Sequence, residues 1–109
     1  MAYKTNQSVM ELSVDEVGIG TYGWAWINWM QTHHKKLVRE MKSNNIFHAV
    51  ARSVDKSAWE YREILDRDYA KLYPRPTKYE DVVKWERTRT FYTDSTVMRE
   101  RVLVAVTQP

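Results

Sequence analysis

The sequence predicts an all-α fold: a small single domain of about four helices over residues 19–109, preceded by an N-terminal arm over residues 1–18. Three observations carry that prediction. Wound at about 100° per residue, residues 19–42 bring Gly23, Trp26, Ile27, Met30, His34, Leu37, Val38 and Met41 onto one arc, as an amphipathic helix does. Polar or proline punctuation, Ser43-Asn44-Asn45 and Tyr73-Pro74-Arg75-Pro76, separates further stretches of the same period. Patterns of the form Ser/Thr-x-x-Glu, which cap helices reciprocally, stand where such stretches begin.

In chain order, the arm has Val9, Met10, Leu12, Val14 and Val17 as its apolar content. Ser8-x-x-Glu11 and Ser13-x-x-Glu16 each fit a capping box, so a helical turn can start at either. Gly18 and Gly20 then break any regular element. The first long helix runs from about Thr21 to Lys42, and the two asparagines that follow tolerate the left-handed conformation that ends helices. A short second helix covers 46–54, with Ile46, Phe47, Val50 and Val54 at helical spacing. Asp55 and Ser57 offer caps for a third helix, whose buried stripe is Ala58, Tyr61, Leu65, Tyr69 and Leu72; Glu63 and Arg67 make an outward i,i+4 pair.

Pro74 and Pro76 end that helix, since neither can continue it. Thr77-x-x-Glu80 opens the last one, on which Trp85, Phe91, Tyr92, Met98, Val102, Leu103 and Val106 share a broad arc. Residues 101–107 are rich in β-branched side chains, which leaves an alternative. In it the C-terminus forms a β-hairpin turning at Thr93-Asp94-Ser95, and the fold is α+β.

Composition narrows the function. Cysteine is absent, which excludes disulfides, thiolate zinc sites and cysteine catalysis together. His33, His34 and His48 lack the spacing of a helical metal site, so no metal is expected. Gly18-x-Gly20-x-x-Gly23 has the spacing of a dinucleotide fingerprint, but no convincing strand precedes it and no βαβ unit follows, so no cofactor is expected either. The carboxylates are scattered beside lysines and arginines, as solvated ion pairs are. No enzyme is expected. No apolar run approaches the roughly 18 residues of a membrane span and no signal peptide is visible, so the expected location is cytoplasmic.

Net charge is +3, and five tryptophans with seven tyrosines exceed what a small core needs. Basic charge favours nucleic acid or an acidic surface, and tryptophan, tyrosine and arginine are enriched in protein interfaces. Lys35, Arg39 and Lys42 fall opposite the apolar arc of the first helix and, with Lys36, form a stripe that can track phosphates. Trp29 and Tyr22 lie outside the arc as candidates to stack on bases or to fill a protein pocket. Trp59, on the polar side of the third helix, fits a protein interface. Arg87 and Arg89 belong to a second basic group, interleaved with acids, that includes Arg99 and Arg101.

The chain resembles the TnpV family of small transposon-encoded proteins. The resemblance rests on Ile19-Gly20-x-Tyr22-Gly23, on the basic run His33-His34-Lys35-Lys36-x-x-x-Arg39, and on Val54-Asp55-x-x-Ala58. It continues through a proline-containing break to Trp85 and Glu100-x-Val102-Leu103, covering roughly residues 19–106. Trp24, Trp26 and Trp29 stand where the family has more polar or basic residues. The resemblance implies a mobile genetic element as the source, a helical fold, no known catalytic residues, and association with DNA during excision of the element. The expected partner is therefore nucleic acid, or a nucleic-acid-binding protein such as a nuclease. The alternative function is a protein inhibitor of a host defence nuclease, of the anti-CRISPR type.

Overall fold

The computed structural model of the chain describes residues 16–109, so the expected arm and its capping boxes lie almost wholly outside the described residues. Four helices follow: α1 (Thr21–His33), α2 (Lys35–Ser43), α3 (Phe47–Leu72) and α4 (Tyr79–Val97), the last running into a π-helical turn, Met98–Val102. No strand occurs among the described residues, and the β-hairpin alternative falls away. Turning at 93–95 would have required Thr93 and Thr96 to leave the interior. Both are buried on α4, their hydroxyls satisfied by donating to the carbonyls of Thr90 (3.4 Å) and Tyr92 (2.8 Å) of the same helix.

The single first helix is in fact two. His34 leaves helical geometry (φ −138°, ψ 53°) while its N–H still bonds the Met30 carbonyl and its own carbonyl accepts from Val38. The chain therefore bends there without orphaning either group. The asparagine stop forms as the sequence implied, with Asn45 left-handed at φ 56°. Asn45 N–H bonds the Lys42 carbonyl and Ile46 N–H bonds the Met41 carbonyl, the paired bonds of a Schellman motif.

The second and third helices are instead one. Asp55 and Ser57 are interior residues of α3, and the Asp55 carboxylate reaches across to α1, accepting the Gly23 N–H at 2.9 Å. It caps a neighbouring helix rather than its own. Thr77 and Glu80 do not form the expected box either. The helix starts at Tyr79 with no side-chain cap, and Glu80 and Asp81 face its positive end in the first turn.

Trp26, Met30, Phe47, Val50, Ala51, Val54, Val97 and Val102 make the centre of the core, with Trp26 and Phe47 ring centroids 5.3 Å apart. The π-helical turn feeds it. Leu103 N–H bonds Met98 five residues back, which turns Val102 inward. Trp26 Nε1–H then donates to the Val104 carbonyl at 3.1 Å and pins the tail. This core occupies one end of a molecule measuring 52 × 29 × 21 Å. On α3 burial ends at Ala58 and on α4 it begins at Thr93, so residues 59–92 form a projecting helical hairpin with no fully buried side chain. The expected stripe on α3 is thus buried only at Ala58, and Leu72 is 73% exposed. On α4, Phe91 is 75% exposed and Tyr92 nearly half.

Candidate nucleic-acid interface

The stretch around Ile19-Gly20-x-Tyr22-Gly23 is a docking joint. Ile19 is in the core, and a Cβ added to Gly20 would meet both Asp55 carboxylate oxygens at 2.9 Å. One added to Gly23 would lie 2.7 Å from Ile19 Cγ2 and 2.9 Å from the Ala51 carbonyl oxygen. The two glycines let α1 sit close against α3, where Val54-Asp55-x-x-Ala58 receives it with Val54 and Ala58 buried. Two motifs far apart in sequence are therefore the two halves of one contact.

Tyr22 belongs to that joint and is no contact residue. It is 2% exposed, donates its hydroxyl hydrogen to Asp94 at 2.7 Å, and accepts from Arg62 at 3.1 Å. Burial, reinforced by the hydrogen bond to Asp94, pushes its pKa up to about 12 although Arg62 opposes the shift. A wheel drawn on α1 alone puts Tyr22 outside the arc, but α3 and α4 both flank this end of the helix.

The basic stripe survives intact. Lys35, Lys36, Arg39 and Lys42 are all exposed on α2, whose other face buries Val38 and Met41. None of the four pairs with a carboxylate among the described residues. Lys42 lies 5.4 Å over the Phe47 ring and, with Asn45, His48 and Arg52, lines a cleft of about 270 Å³ where α2 hands over to α3. His48 and Arg52 were not legible as part of this surface, because the cleft exists only through the Schellman turn.

Trp29 is half-buried against the core rather than projecting, and its ring packs 4.9 Å from His34 and 5.6 Å from His33. Its accessible edge lies where α1 bends into α2. Trp59 is exposed as expected, but on α3, edge-on to Tyr22 at 4.9 Å and covered by the Arg62 guanidinium at 5.4 Å.

The second basic group does not join the first: α2 packs beside α1 and α3, whereas α4 packs along α3. Arg87 is exposed on α4. Arg89 is consumed internally: it bonds Glu86 at 2.6 Å, faces Asp66 at 3.8 Å, and lies 4.7 Å over the Trp85 ring. Its Nε and Asp66 Oδ1 are buried without hydrogen-bond partners, so this ion pair is incompletely satisfied. The expected Glu63–Arg67 pair is replaced by Arg62–Asp66 at 3.8 Å.

What the sequence reading missed is the far end of the hairpin. Tyr69 is the hub of a ring cluster with Tyr73 (4.9 Å), Trp85 (5.8 Å) and Tyr92 (5.9 Å), and Trp85 Nε1–H donates to the Tyr73 carbonyl at 2.7 Å. The signal was present in the length of the apolar stripe on α3, which outruns any core that so short a chain can build. Among the described residues no helix is long and apolar enough to cross a membrane. No protein-family model, no curated protein and no solved structure matches this chain.

Proposed function

We propose that this chain is a non-catalytic, TnpV-like binding protein of a mobile genetic element that associates with nucleic acid through α2. The observation that carries the reading is the set of four exposed cations on a nine-residue helix with no carboxylate partner. Arg62 and Arg89, by contrast, are held by Asp66 and Glu86; on α2 the charge is left for something else. Lys35 to Lys42 spans about 10 Å of helix, enough to follow phosphates that advance about 3.4 Å per nucleotide along a strand. The cleft at Lys42 continues the cationic surface beyond the helix, and the Trp29 edge at its other end offers a stacking face.

The test is duplex DNA affinity as a function of salt. Four phosphate contacts give a log–log slope of about −3.6, and neutralising one contacting lysine lowers its magnitude by about 1. Absence of DNA or RNA binding at low salt would remove the physical basis of this reading.

A second reading, a protein-targeting inhibitor of a host defence nuclease of the anti-CRISPR type, is favoured by the exposed aromatic hairpin. Pull-down from host lysate with and without nuclease treatment separates the two. A partner retained after nucleic acid is digested supports the inhibitor.

A further inference from the structure

The projecting hairpin carries a groove of about 600 Å³ between α3 and α4, at the end of the molecule away from α2. Leu65 and Leu72 form its apolar wall, Tyr69, Tyr73 and Tyr92 present rings to it, and Asp68 stands at its edge. Leu72 and Tyr73 are largely exposed and Tyr92 nearly half. Such a face costs solubility unless something covers it.

Its chemistry says what. Elsewhere along α3 and α4 the chain covers its own aromatic faces with arginine: Arg62 over Trp59 at 5.4 Å, Arg89 over Trp85 at 4.7 Å, Arg101 over Tyr61 at 4.1 Å. Tyr61 and Glu100 extend that pattern, the Tyr61 hydroxyl donating to Glu100 at 2.6 Å beside Arg101. Among the described residues no cation of the chain lies over the rings of Tyr69, Tyr73 or Tyr92. Asp68, one turn from Leu65 and Leu72, makes no ion pair among the described residues. The groove thus has rings for the face of a planar cation, a carboxylate for its N–H fork, and leucines for an aliphatic stem.

We propose that this groove docks a partner protein through an arginine side chain projecting from an apolar helical segment. The segment lies along α3 and α4 as a third helix, its leucine-like residues on Leu65 and Leu72 and its guanidinium among the tyrosines beside Asp68. The proposal is independent of the nucleic-acid reading of α2, which lies at the opposite end of α3.

A synthetic amphipathic peptide with one arginine flanked by leucines one turn away tests it against the same peptide bearing citrulline, which keeps the shape and loses the charge. The indole N–H resonance of Trp85, bonded to Tyr73 at the groove, reports occupancy in the whole chain. The arginine peptide is expected to bind about tenfold more tightly than the citrulline one, the combined worth of a cation–π contact and a surface ion pair. Asp68→Asn, a change at an exposed position, should weaken the arginine peptide several-fold and leave the citrulline peptide unchanged. Equal affinity of the two peptides, or no binding of either, overturns the proposal. So does a Trp85 shift that depends on protein concentration without peptide, which assigns the groove to a second copy of the chain.

Discussion

The Asp55 carboxylate on α3 accepts the backbone N–H of Gly23 in the first turn of α1 at 2.9 Å, across 32 residues of chain. One of the donors that every helix leaves unsatisfied at its start is thereby answered from a different helix, and the negative charge sits where the α1 dipole favours it. Gly20, the residue before α1, has no side chain with which to do this itself. The joint therefore depends on three residues at once.

Asp55→Ala should lower the stability of the fold by about 1 kcal/mol, as loss of a cap does. Gly23→Ala should also destabilise, by about 1 kcal/mol or more. Alanine gains roughly 1 kcal/mol over glycine inside a helix, but the Ala51 carbonyl oxygen 2.9 Å from the new Cβ is backbone and cannot yield cheaply. Urea unfolding followed by circular dichroism measures both. A stabilised Gly23→Ala variant would show that α1 can back away from α3.

The two tryptophans on α1 should respond differently. Trp26→Ala empties the core and should cost about 3–5 kcal/mol. Trp29→Ala should cost about 1–2 kcal/mol, because only part of its ring is covered. Equal losses in denaturant unfolding would mean that Trp29 is as central as Trp26 and offers no stacking edge.

Arg89 and Lys36 should split stability from binding. Arg89→Ala takes away the partner of Glu86 and one of the two arginines facing Asp66, which keeps Arg62, and should cost about 1 kcal/mol while leaving the salt dependence of DNA binding unchanged. Lys36→Ala should do the reverse, within about 0.5 kcal/mol in stability and with a shallower salt slope. An Arg89→Ala slope that falls by about 1 would place α4 on the nucleic acid after all.

Tyr22 sets an alkaline limit. Its pKa is raised in the folded state from 10.0 to about 12, so its contribution is complete below pH 10 and is lost as pH climbs from 10 towards 12. The loss is up to about 2 kcal/mol, and Tyr22→Phe should remove this share of the pH dependence. Matched unfolding curves for the two proteins at pH 8 and pH 11 decide it; parallel falls would assign the alkaline loss to other tyrosines.

Much of this fold was written in local pattern. The α1–α2 arc named Trp26, Ile27, Met30, Val38 and Met41 correctly, because a helix packed on one side buries what its own period groups together. The asparagine stop was legible for the same reason: a Schellman turn is a local conformation. Failures came where a residue of local type serves a distant element. Asp55 has the chemistry of a cap and is one, but for α1, so reading it as the start of a new helix cut α3 in two. Tyr22 was misplaced because two helices, not one, close over it. The four lysines and arginines of α2 were legible because exposure follows from charge alone, whereas the tyrosine groove needs α3 and α4 side by side.

The absence of any fully buried side chain between residues 59 and 92 has a thermodynamic consequence. Cooperative unfolding is transmitted through shared core, and beyond Tyr61 and Leu65 at its base this stretch shares none, so the amides of its outer part should exchange through openings well below the global unfolding free energy. Trp26 and Trp85 then report two different transitions within one chain. A ligand that lies along the outer hairpin raises only the second, and whatever binds α2 is left at the affinity it already had.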